Sequence, residues 1–281
     1  MHIALHAVAL ALVAAAAPGD AELRARLDAG LEGREAGAAR AAWASSLLLG
    51  APYRTSPLGE GPGADPDPDP RFRLDAFDCV TLVETAMALG AATSVAGAER
   101  LLDDVRYDGA PSWARRAHYA ESQWLPSLVR KGWLEPVGAD ALGVATVRVV
   151  KRLDAAAWLA AERSGRAVPG LGEADRPAGE FALEVVPLDR LLQAAPRIPE
   201  GAVLVIVRAP HPARPSLVTH MGLAVSRRDG TRALRHASDV PGVMRVRDEP
   251  LDAVVRRFVR KSWPVAGVAV FRVRAPVRGD R

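Results

Sequence analysis

Apolar positions follow a helical period in the first half of the chain and a period of two in the second. Residues 21–31 and 35–49 carry alanine, leucine and arginine at helical spacing, and Gly50 stands where a helix C-cap is expected. Asp78 reads as an N-cap before an amphipathic helix over 79–89 that encloses Glu84, and further helices are expected at 95–105 and 119–131. Between them, residues 51–75 are broken by proline and glycine. The alternating Asp-Pro run at 65–70 reads as a stiff, solvated connector rather than a calcium cage, because its prolines space the carboxylates poorly. Beta-branched runs at 144–150, 181–186, 203–207, 218–225 and 265–273, with a further strand at 233–238, predict a sheet. One α+β domain follows, its helical N-terminal half packed on a mostly antiparallel sheet. Residues 165–179, rich in glycine and proline, are expected to form a loop over the site.

Composition narrows the partners. A chain of 281 residues, 49% hydrophobic and 25% charged, is long enough to bury its own core. Its net charge of +4 comes from arginines interleaved with acids, with lysine confined to Lys131, Lys151 and Lys261. No basic, aromatic-studded stripe appears, so a nucleic-acid partner gains no support. Residues 3–17 are apolar apart from His6, end in a run of alanines before Pro18, and precede the first charge at Asp20. That stretch is too short for a bilayer core of ~30 Å and reads as a signal peptide over 1–17, in preference to a buried N-terminal helix. The reading implies export, to a periplasm, of a domain over 20–276 with a tail at 277–281. With no cysteine after the apolar stretch and no later segment of spanning length, a stable membrane anchor is not expected.

Cys79 is the single cysteine, which excludes an intramolecular disulfide and a cysteine-rich zinc cluster. It is either a buried small hydrophobe or a reactive thiol. At a helix N-terminus the backbone amides would favour the thiolate, lower its pKa and hold an oxyanion. Of six histidines, His2 and His6 fall in the signal segment, leaving His118, His211, His220 and His236. In the period-two run 218–225, His220 shares a face with Gly222 and Ala224, where a helix N-terminus carrying Cys79 could approach. His236, on the next strand, could orient His220, but only in one register. A two-residue Asp229-Gly230 turn would set His236 opposite Leu223, on the other face. A three-residue loop of Arg228, Asp229 and Gly230 would set it opposite Gly222, on the same face. A cooperating pair therefore requires the odd-length loop.

The run Phe77-Asp78-Cys79-Val80-Thr81-Leu82-Val83-Glu84, then Thr219-His220-Met221-Gly222-Leu223 and His236-Ala237-Ser238, resembles the NlpC-type papain-like cell-wall cysteine hydrolases, and among them the N-acetylmuramoyl-L-alanine amidase-like branch. Arg116-Ala117-His118-Tyr119 is similar to that branch's R-x-H-Y segment, and Tyr53 ahead of Leu58-Gly59 to its upstream tyrosine. The resemblance implies a papain-like fold without a cofactor or metal. It implies Cys79 as nucleophile, His220 as general base and acid, and His236 as its orienter, with Tyr53, Arg116, His118 and Tyr119 binding substrate. The implied substrate is peptidoglycan or its turnover fragments, cut at the N-acetylmuramoyl-L-alanine amide. Wider relatives cut between D-glutamate and a diamino acid, which is the alternative. Met221 departs from the usual small beta-branched residue, and the Asp-Pro run lengthens the path from Tyr53 to Cys79. Two other classes compete: a zinc amidase, for which no H-E-x-x-H or comparable ligand spacing is present, and a noncatalytic wall-binding protein on the same fold.

Overall fold

The computed structural model describes residues 19–276. The expected signal peptide at 1–17 and the tail at 277–281 lie outside them. Four helices come first: α1 (Asp20–Leu31), α2 (Ala38–Ser46), α3 (Cys79–Ala91) and α4 (Val95–Arg106). In α1, Leu23, Leu27 and Leu31 repeat every four residues and are its buried positions, as the periodicity requires. Helix α3 is buried almost throughout from Thr81 to Gly90, so it forms the centre of the helical layer. The segment expected to be one helix over 119–131 opens with a π-helical turn, Ala120–Trp124, and continues as α5 (Leu125–Arg130).

The second half supplies β1 (Leu134–Pro136), α6 (Ala139–Leu142), β2 (Val147–Leu153), α7 (Ala155–Arg163), β3 (Gly179–Val185) and α8 (Leu191–Ala194). There follow β4 (Val203–Arg208), β5 (Val218–Ser226), β6 (Arg232–Ser238), β7 (Arg245–Pro250), α9 (Leu251–Val259) and β8 (Val265–Val273). The main sheet has six strands in the order β1-β8-β4-β5-β6-β7, every neighbouring pair antiparallel. Strands β2 and β3 do not join it. They pair with each other in a separate antiparallel ribbon.

The sheet divides two cores. On one face Val205, Met221, Leu223 and Val225 pack with Val83, Ala86 and Met87 of α3. On the other, Leu204, Ile206, Ala224 and Leu234 pack with Leu251, Val254 and Phe258 at the start and along α9. The β5–β6 loop is the odd one: Arg227 N–H donates to Thr231 O at 2.8 Å, Arg228, Asp229 and Gly230 lie between, and Gly230 takes φ +77°. Leu223 accordingly pairs with Arg235, so Gly222 and His236 stand at matching positions on one face. Among the described residues no helix is long and apolar enough to cross a membrane.

Candidate active site

Cys79 opens α3 because Asp78 caps it. Asp78 Oδ1 accepts from Val80 N–H at 3.0 Å and Thr81 N–H at 2.8 Å, Thr81 Oγ1 accepts from Asp78 N–H, and Asp78 Oδ2 accepts from Ser56 N–H. The cap removes two of the amides expected to stabilise a thiolate. Burial, and after it the Asp78 charge, pushes the Cys79 thiol up to about 12, although the Met221 amide and Cys79's own amide pull the other way. The expectation of a lowered thiol pKa is therefore corrected. A helix N-terminus whose amides are already capped by a carboxylate offers a sulfur little net positive field.

The approach of α3 to the His220 face is also corrected, since α3 packs on the Met221/Leu223 face. A Cβ at Gly222 would lie 2.4 Å from Arg235 O and 3.0 Å from His236 Cβ, so the space there admits β6 and not the helix. Cys79 instead stands where β5 and β6 separate. The β5–β6 ladder ends at Leu223–Arg235, whereas β5 stays paired to β4 as far as Val218 and β6 to β7 as far as Ser238. Ala224 N–H donates to Ala202 O and its C=O accepts from Gly201 N–H, both just ahead of β4, so alternation turns the Met221 N–H toward the missing β6 partner. There it meets the Cys79 sulfur.

Across the same split, His220 Nε2 lies 2.7 Å from His236 Nδ1, with the two rings nearly perpendicular. Both imidazoles are buried, and burial holds both below the ordinary histidine range, His220 well below. The line continues past the residues expected from sequence: His236 Nε2 is 3.2 Å from Glu249 Oε2, and Arg257 pairs with the same carboxylate through Nε at 3.2 Å and through NH2 at 2.8 Å. Burial alone would raise Glu249, but contacts with His236 and Arg257 bring it down to about 2, so it is ionised. Glu249 escaped the sequence reading because β7, Arg-Val-Arg-Asp-Glu-Pro, resembles a charged loop. Its signal is positional, since Glu249 pairs with Leu234, two residues before His236 on the same face.

Tyr53 reaches the site despite the long connector. Arg54 N–H donates to Phe77 O and Phe77 N–H to Pro52 O, a parallel bridge that fixes Tyr53 beside Phe77, itself two residues ahead of Cys79. Its hydroxyl is raised, chiefly by burial and further by the nearby Cys79, Asp78 and Asp239. The added residues loop outward and are clamped. Arg106 donates to Leu58 O and Gly59 O, Tyr107 hydroxyl to Gly59 O, and Arg116 to Glu60 Oε1 and Asp67 Oδ2, each of the last two at 2.8 Å.

For Arg116, His118 and Tyr119 the structure gives contacts within the protein where open cleft positions were expected. Arg116 holds the connector and stacks on Trp113, and His118 Nε2 lies 2.7 Å from Trp113 O. Tyr119 is buried edge-on to Trp158, its hydroxyl accepting from Val168 N–H. The 165–179 stretch thus folds over the 113–123 segment, with Trp113 Nε1 donating to Pro169 O. Through Arg116 Nε and NH2, His118 Nε2 and the Tyr119 hydroxyl, these three side chains hold the loops around them. Two further carboxylates are buried, one on α3 and one held by the segment that leads into β5. Glu84, on α3, pairs with Arg106 at 3.3 Å and is raised by burial to about 7. Glu121 accepts from Leu217 N–H and Ser216 hydroxyl, just upstream of His220. Among the described residues no group of three or more His, Cys, Asp or Glu side chains is placed to hold a metal.

A cysteine at a helix start, beside an antiparallel sheet that buries a histidine pair, sits in an α+β fold with helices on both faces of the main sheet. The chain belongs to the AmiA-like family, described as N-acetylmuramoyl-L-alanine amidase-like, which matches residues 43–260 and so includes Tyr53, Cys79, His220, His236, Glu249 and Arg257. Among solved structures it is similar to a Legionella pneumophila protein of the family designated DUF1460, with 21% identity, a TM-score of 0.75, and coverage of 90% of this chain and 94% of that one. It is also similar to an N-acetylmuramoyl-L-alanine amidase from Bacteroides uniformis, with 21% identity, a TM-score of 0.62, and coverage of 84% and 98%. At that identity the likeness carries the fold. No curated protein matches the chain. Membership places it with amidase-like hydrolases and implies a peptidoglycan substrate.

Proposed function

We propose that this chain is an exported, papain-like cysteine amidase of the NlpC type that hydrolyses the N-acetylmuramoyl-L-alanine amide of peptidoglycan or its turnover fragments. The observation that carries the proposal is the split between β5 and β6, with Cys79 against the Met221 amide on one side and the His220–His236 pair on the other. In the proposed reaction Cys79 Sγ attacks the lactyl carbonyl carbon while Nδ1 of His220 takes the thiol proton. Because thiol and imidazole are both neutral at rest, proton transfer accompanies attack and does not precede it. Asp78 has taken the Val80 and Thr81 amides, so the Cys79 N–H and the Tyr53 hydroxyl are the groups assigned to the oxyanion. The C–N bond then breaks, His220 returns its proton to the leaving L-alanyl nitrogen, and a thioester remains. Water, deprotonated by His220, cleaves the thioester and regenerates the thiol.

Incubation with N-acetylmuramoyl-L-alanyl-D-glutamyl-diamino acid peptide tests the bond. The expected product is a peptide with a free L-alanine amino terminus, and release of the diamino acid with the muramoyl-L-alanyl-D-glutamate left joined would overturn the assignment. Export rests on the apolar 3–17 segment and its alanine run. Envelope protein should begin after residue 17, whereas an intact Met1 would sink this part.

A further inference from the structure

A histidine can act as base toward a thiol only if the nitrogen facing it carries no proton, and a neutral imidazole has one bare nitrogen. In a pair of neutral histidines joined ring to ring, the choice is shared. If His236 carries its proton on Nδ1, that proton points at His220 Nε2, which must be bare, and His220 then holds its own proton on Nδ1. If His236 carries it on Nε2, His236 Nδ1 is an acceptor, His220 donates from Nε2, and His220 Nδ1 is left bare. The 2.7 Å contact between His220 Nε2 and His236 Nδ1 allows both patterns. Something beyond the pair must choose.

We infer that Glu249, held by Arg257, is a positioning residue that fixes the proton pattern of both histidines and so leaves His220 Nδ1 free to accept a proton. Its Oε2 stands 3.2 Å from the buried His236 Nε2, not aligned as a hydrogen bond but close enough that its negative charge favours a protonated Nε2 and repels a bare one. Arg257 keeps the carboxylate ionised and in place, bonding it from α9 by two nitrogens. The supporting charges agree: Glu249 is ionised down to about 2, and Arg257, Arg247 and Lys261 face the histidines from α9, β7 and the α9–β8 turn, opposing a second proton on either ring. The sequence order Glu249 to Arg257 spans the start of α9, so one strand-to-helix junction carries the whole control.

The catalytic use of this pattern rests on the proposed cysteine mechanism, but the pattern itself is read without activity. Imidazole ¹⁵N shifts of the intact protein at pH 7 should show Nε2–H forms for both His220 and His236. In Glu249→Gln, whose amide can donate as well as accept, His236 should become a mixture of the two forms. The same variant should lose about 10- to 100-fold in kcat with little change in KM, by analogy with other groups that orient a functional histidine. Nδ1–H on His220 in the unaltered protein overturns the inference without needing a folded variant, as does a Glu249→Gln protein with unchanged shifts and kcat. An active Cys79→Ala protein with the expected shifts would instead overturn the cysteine mechanism and leave the proton pattern standing.

Discussion

Cys79 shows how one neighbour can serve structure and restrain chemistry. Asp78 starts the helix by binding the Val80 and Thr81 amides, and its charge then opposes ionisation of the thiol beside it. At neutral pH the thiol, with its pKa near 12, should alkylate more slowly than a free model thiol, whose pKa is about 8.5. Asp78→Asn keeps a capping oxygen for Val80 and Thr81 and removes the charge, giving up only the contact from the exposed Ser56 N–H. Its Cys79 should alkylate several-fold faster at pH 7 than the unaltered protein's while thermal unfolding changes little; an unchanged or slower rate would show that Asp78 does not restrain the thiol. Residue types alone could locate Cys79, His220 and His236, since each sits in a recognisable local run. They could not give the state of the thiol, which depends on how far the packing around it excludes water and on which amides the cap consumes.

The β5–β6 hairpin converts chain length into chemistry. Had the Asp229-Gly230 dipeptide formed its usual two-residue turn, His236 would face the α3 layer. The three-residue loop, with Gly230 at φ +77°, puts it beside His220. Gly222 lets the strands close at that level, its missing Cβ being replaced by the Arg235 carbonyl. Gly222→Ala should therefore force β5 and β6 apart, costing about 1–3 kcal/mol by denaturant unfolding and reducing kcat well beyond what the lost stability explains. A variant with unaltered kcat would show that the spacing of the pair is not set there. Strands rich in beta-branched residues were legible from period two, and so was the capped helix at 79. Strand β7 was not, because Val246 is its one core position and charges stand on both its faces: Asp248 pairs with Arg235 on the helical side and Glu249 with His236 on the other. Paired charges look like a solvated loop until their partners, 13 residues upstream, are known. Helix α9 was missed with it, and so was Arg257.

Across the whole molecule, the candidate site draws its residues from both sides of one sheet. The helical layer delivers Cys79 and, through the Phe77 bridge, Tyr53; the α9 layer delivers Glu249 and Arg257; the histidines lie where β5 and β6 part between them. Order in sequence conveyed the helices-then-sheet plan, but layering depends on which face each strand residue takes, and that followed from one loop's length. The connector at 57–70 and the 165–179 stretch fold against the 106–119 region, where Arg106, Arg116 and Tyr119 hold them. The central claim is covalent catalysis at Cys79, and the most direct test is the mass of protein quenched in acid while it turns over N-acetylmuramoyl-L-alanyl-D-glutamate. The account predicts an acyl adduct of the N-acetylmuramoyl group mapped to Cys79, absent from a folded Cys79→Ala protein that also releases no L-alanyl peptide. Release of that peptide by Cys79→Ala at the unaltered rate would contradict it.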